Sequence, residues 1–237
     1  MAEIKMDVRV YPLDEQQGKT KAFASVALDD MVAIRGIRVI EGDKGLFVSM
    51  PQSKSEKDGK TEYHDIAFPL DSDVRKALNK AVKEEYKRVE ALPEEQRGYD
   101  KPEAGQMNGL NIEEIKLEIK VYPLKDSQSN TKAFAVVNID DLAEIRGVRV
   151  VDGEKGLFVT MPQSKDNKTG EYHDVAFPTN GDLRKEISRA VLEKYENGDK
   201  SKDKSLADGL KKGAEKAAEH VGGAKNEAAK SRASGIE

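Results

Sequence analysis

Ile4, Met6, Val8 and Val10 alternate with Lys5, Asp7 and Arg9, the period-two pattern of a half-buried strand, and Pro12 ends it. Thr20 to Leu28 reads as a second strand, with Ala22, Ala24, Val26 and Leu28 on one face. Ile34 to Ile40 is a third, and Gly36 inside it signals a bulge or a close backbone approach. Glu41 to Gly45 is a turn, Leu46 to Met50 a fourth strand closed by Pro51, and Gln52 to Thr61 a long polar loop. Tyr63 to Phe68 is a short last strand ended by Pro69. The period then changes. After Asp71-Ser72-Asp73, which supplies an N-cap and first-turn acid, Val74, Leu78, Val82 and Tyr86 recur every four residues as one helical stripe.

The same pattern returns. Val10-Tyr11-Pro12-Leu13 recurs as Val121-Tyr122-Pro123-Leu124, and Gly45-Leu46-Phe47-Val48 as Gly156-Leu157-Phe158-Val159. Met50 to Lys54 recurs as Met161 to Lys165, and the helical stripe as Leu183, Ile187, Val191 and Tyr195. Each copy spans about 80 residues, the size of a small domain and longer than solenoid repeats. The expected fold class is α+β: two tandem small domains, each an antiparallel sheet followed by a helix, paired as an intramolecular pseudo-dimer. The expected boundaries are 1–91 for the first copy, 92–115 for a flexible linker, 116–197 for the second copy and 198–237 for a charged tail. The linker carries several glycines and prolines; the tail lacks Phe, Tyr and Trp and reads as disordered or weakly helical.

The chain of 237 residues is 35% charged and carries a formal net charge of −4, which argues against sequence-blind coating of polyanions. A local basic face remains compatible with nucleic acid binding. There is no cysteine, no apolar leader and no stretch of about 18 apolar residues, so a cytoplasmic chain without membrane insertion is expected.

Order and spacing of several segments resemble the SpoVG family, the stage V sporulation or septation proteins. The segments are Ile37 to Gly42, Gly45 to Pro51, Asp65-Ile66 with Pro69, and the helix bearing Arg75, Val82 and Tyr86. The second copy matches at Val148 to Gly153, Gly156 to Pro162, Asp174-Val175, Pro178, Arg184, Val191 and Tyr195. The resemblance implies a small α+β domain, acting as a homodimer that binds DNA and in some cases RNA and affects sporulation, septation and gene expression. It also implicates the helix in DNA sequence preference. Two copies on one chain replace the symmetric homodimer with a covalent pair.

The candidate nucleic-acid contacts are Arg75, Lys76, Lys80 and Lys83 on the first helix, Arg184, Lys185 and Arg189 on the second, and Lys54 and Lys165 in the polar loops. Clustered cations release counterions from phosphate, and off the apolar stripe their removal should leave folding intact. The competing reading is a solvated helix face with Glu84, Glu85, Glu186 and Glu193 pairing the cations, and a protein-interaction module working through sheet edges. No aromatic residues interleave with these charges, so no stacking platform is evident from the sequence. Neighbouring strand residues point to opposite faces, so Tyr63-His64-Asp65 and Tyr172-His173-Asp174 cannot converge as catalytic units. One histidine in each copy forms no metal set. Gly18-Lys19-Thr20 lacks the leading glycine and following helix of a phosphate loop. No catalytic residues, metal or cofactor are expected.

Overall fold

The computed structural model describes residues 4–13, 18–57, 59–93, 96–97, 114–125, 128–166 and 169–198. Most of the linker and the tail beyond Gly198 lie outside these residues.

In the first copy, β1 (Met6–Pro12), β2 (Thr20–Leu28), β3 (Val32–Gly42) and β4 (Gly45–Ser49) form an antiparallel meander. The alternation read along β2 is the one observed: Ala22, Ala24, Val26 and Leu28 are buried. Gly36 adopts φ +71, and Arg35 and Gly36 together stand against Ser25, because the pairing jumps from Ala24 with Ile37 to Val26 with Ile34. This is the bulge that the strand glycine signalled. A hairpin of β5 (Gln52–Lys57) and β6 (Lys60–Asp65) follows, then β7 (Ala67–Pro69) and α1 (Ser72–Glu90). The second copy repeats this as β8 (Leu117–Pro123), β9 (Thr131–Ile139), β10 (Ala143–Gly153), β11 (Gly156–Thr160), β12 (Gln163–Lys165), β13 (Tyr172–Asp174), β14 (Ala176–Pro178) and α2 (Gly181–Glu196).

Two sequence expectations are corrected. The polar stretch after Pro51 is a hairpin rather than a loop; Gly59 at φ +75 supplies its left-handed turn position. Its strands are polar in sequence, so no apolar alternation marks them. The segment from Tyr63 to Phe68 is two strands parted at Ile66, whose N–H donates to the Pro51 carbonyl at 2.7 Å.

The second strand leaves its own copy. β7 pairs antiparallel with β10, Ala67 opposite Ile145, while β14 pairs with β3, Ala176 opposite Ile34. Matched backbone bonds flank both crossings: Arg146 N–H to the Ile66 carbonyl and Arg35 N–H to the Val175 carbonyl, each 2.7 Å. Each sheet therefore holds four strands of its own and one from the other copy. The copies are not separately closed domains, because each lacks its fifth strand without its neighbour.

The helices stay with their own sheets, α1 against β1 and β4, α2 against β8 and β11. Asp71 caps α1 by accepting from the N–H groups of Asp73 and Val74, and Asn180 caps α2 through Asp182 and Leu183. Leu78, Val82 and Tyr86 of the read stripe are buried, as are Leu183, Ile187 and Val191. Both copies contribute to one continuous core.

Candidate nucleic-acid interface

The cations of α1 are mostly occupied close to home. Arg75 donates to Asp65 at 2.7 Å, and its guanidinium lies 5.8 Å from the centre of the Phe68 ring. Asp65 also accepts from Gln52 at 2.9 Å, whose carbonyl end lies 3.4 Å from Arg38. The second copy repeats the relay: Arg149 to Gln163, Gln163 to Asp174, and Arg184 to Asp174 at 2.6 Å. Arg75 and Arg184 thus clamp the aspartate two residues before each exchanged strand. Their removal would take the charged partner from a half-buried carboxylate and leave it the glutamine bond alone, so Arg75 and Arg184 are tied to the fold in a way the exposed helix lysines are not.

Lys76, Lys80, Lys185 and Arg189 are exposed, Lys83 is half-buried, and Lys194 donates to the Ile119 carbonyl at 2.8 Å. Lys76 pairs with Asp73 at 2.9 Å and Lys185 with Asp182 at 2.7 Å; these bonds push both lysines above their ordinary pKa and pull Asp73 below its own. Lys80 lies 3.8 Å from Glu84, and Arg189 bridges Glu186 and Glu193. Lys83 forms no ion pair with the described residues. The helix faces therefore alternate in sign along their length, as the competing reading anticipated. In the hairpins, Lys54 lies 3.6 Å from Glu56, and Lys165 sits 6.0 Å from the Tyr172 ring centre. His64 and His173 stand beside Glu62 and Glu171. Among the described residues no three potential ligands gather as a metal site, and no helix is long and apolar enough to cross a membrane.

Sequence reasoning missed a surface on the first sheet. Val10, Ala22, Ile37 and Val39 point into the core, so Tyr11, Phe23 and Arg38 point away from it. They stand in one cross-strand row, Tyr11 opposite Phe23, Phe23 opposite Arg38, and Arg38 opposite Ser49. Phe47 lies on the same face, between the core-packed Leu46 and Val48. The available signal was an aromatic residue at the polar phase of the alternation, Phe23 between Ala22 and Ala24. In the second copy the equivalent Tyr122 and Phe134 are each 3% exposed, against 42% for Phe23. Burial also pulls Arg149 below its ordinary pKa.

Comparison with known proteins gives a consistent pattern. A family model described as SpoVG matches residues 3–88 and again 114–197. A septation protein SpoVG of Lachnospira eligens is 44% identical over 88 residues, 37% of this chain and 96% of the relative. Its namesake in Caldanaerobacter subterraneus is 44% identical over 83 residues, 35% of this chain and 87% of the relative. That of Myxococcus xanthus is 44% identical over 82 residues, 35% of this chain and 78% of the relative. Each alignment thus spans one copy of this chain and most of the relative.

Proposed function

From the chain's membership of the SpoVG family, we propose that it regulates septation or sporulation in the cytoplasm by binding DNA or RNA with its two copies as one unit. The chemistry is recognition rather than catalysis. The observation carrying this reading is the reciprocal exchange of β7 and β14, which sets α1 and α2 in equivalent positions on two sheets of one core. Each helix turns cations to solvent, Lys76 and Lys80 with the half-buried Lys83 on α1, Lys185 and Arg189 on α2, and phosphate contacts from a fixed pair accumulate.

Titration of the full chain with mixed-sequence DNA and RNA at low and physiological salt tests the reading. Binding that falls steeply with salt supports it; no binding to either at low salt removes it, since the phosphate attraction is strongest there. A second reading, a protein-interaction module in septation, is favoured by the ion pairs that break the helix faces into both signs. It predicts a partner whose affinity is weakly salt-dependent and no retention by nucleic acid.

A further inference from the structure

The exposed rings on the outer face of the first sheet have a geometry suited to stacking. The Phe47 ring sets one edge against Gly42: a Cβ built there would stand 3.1 Å from its Cε1 atom and 3.3 Å from its Cδ1 atom. Only that edge is shown against the glycine, and Phe47 remains 49% exposed. In the adjoining row Arg38 separates Phe23 from Ser49, its guanidinium held by Ser49 Oγ at 3.3 Å and Gln52 Oε1 at 3.4 Å. Arg9, next but one to Tyr11, brings a second guanidinium to this face, paired with Asp7 at 3.3 Å. Among the described residues the face thus offers rings with cations between them, with Asp7 beside Arg9 and Asp65 one hydrogen bond beyond the Gln52 that holds Arg38.

We infer that this face binds single-stranded nucleic acid, bases stacking on Phe23 and Phe47 while Arg38 meets the backbone phosphate. The inference rests on the nucleic-acid reading and moves its site from the helices to the sheet. It also selects single strands, because duplex bases are already stacked and cannot reach rings on a sheet surface. Among the described residues the site exists once. Phe158 lies on Gly153 as Phe47 does on Gly42, but its neighbours Tyr122 and Phe134 are buried and have no open ring face to give.

The chain contains no tryptophan, so Phe47→Trp and Phe158→Trp each install a sole indole reporter. The test titrates the full-length variants with oligouridylate and with a DNA duplex of matched length. Quenching of the F47W indole by oligouridylate, with neither duplex nor F158W giving a comparable signal, is the expected result. Phe23→Ala, Arg38→Ala and Phe47→Leu should each weaken oligouridylate binding about tenfold, while F47W retains it. Thermal melts verify that these variants fold. Wild-type affinity in folded F23A and F47L would overturn the sheet site and leave the helices as the contact. Absence of binding to any nucleic acid would remove the parent reading as well. A shift of F47W emission with protein concentration alone would assign the face to a second copy of the chain and overturn the inference.

Discussion

Tyr86 shows how one side chain couples packing to pH. Its ring is buried and its hydroxyl donates to Glu90 at 2.5 Å. Burial first, and the Glu90 carboxylate second, push its pKa from 10.0 up to about 12. Below the ordinary value both folded and unfolded chains keep the proton, so the stabilisation is complete. Between 10.0 and about 12 the unfolded chain ionises while the folded chain resists, and stability drains across that window. Tyr86→Phe should cost about 1 kcal/mol at neutral pH through the lost hydrogen bond, yet flatten the alkaline fall of the melting temperature. Parallel alkaline profiles for the two proteins would show that Tyr86 carries none of it. Gly36 makes a different demand. At φ +71 alanine is strained, although the nearest atom to its Cβ would be Pro51 Cβ at 3.9 Å, so space is not the obstacle. Gly36→Ala should lose about 1–2 kcal/mol by chemical denaturation, and Gly36→Asn less, because asparagine visits the left-handed region more readily. Equal losses would point to packing instead.

At the scale of elements, the exchanged strands are short and depend on their anchors. Ala67 and Ala176 are fully buried opposite Ile145 and Ile34. Phe68 meets two guanidinium groups, Arg146 at 4.8 Å and Arg75 at 5.8 Å from its ring centre, and Phe177 meets Arg35 at 4.6 Å. Ala67→Glu would place an unpaired carboxylate in the shared core and should cost more than about 3 kcal/mol. Its melt should collapse, and Ala176→Glu should match it; a wild-type melt in either would show the exchange to be dispensable. The helix cations separate by the same logic. Lys76→Ala with Lys185→Ala should stay within about 0.5 kcal/mol of wild type each. Arg75→Ala should cost about 1 kcal/mol because Asp65 loses its charged partner. Binding assays on the lysine pair therefore report phosphate contact without a folding penalty, which the arginine pair cannot.

For the whole molecule, reciprocal exchange makes the pairing of copies part of folding itself. The tether holds the copies at an effective concentration of roughly millimolar, which favours closure within one chain over exchange between chains. The full chain is accordingly expected to be a monomer in dilute solution. Either copy alone would leave β3 or β10 without its fifth strand, so it should dimerise by exchanging that strand with a second molecule or lose cooperative melting. Light scattering and thermal melts on the three proteins decide this. Stable monomeric single copies, beside a full-length dimer, would mean that the duplication serves another end.

The sequence by itself determined whatever depends on near neighbours along the chain. Period-two apolar spacing marked β2, the stripe from Val74 to Tyr86 marked α1, Asp71 marked its cap, Gly36 marked a bulge, and repetition marked the two copies. Each rests on backbone geometry acting over a few residues. The hairpins escaped notice because their strands are polar throughout, so even where one side is covered, as at Ser55, no apolar alternation is written. Strand exchange escaped for another reason: Ala67-Phe68-Pro69 carries the same local pattern whichever sheet receives it, and only the closure of a common core selects the neighbour. The candidate cations were legible as residues, but their partners were not. Arg75 became a clamp on Asp65 only once the helix was laid against its sheet. Likewise Phe23, Arg38 and Phe47 lie far apart in sequence and share a surface only through strand pairing, while Phe134, the identical ring standing for Phe23 in the second copy, is buried. Burial depends on everything that packs nearby, and local sequence does not encode it.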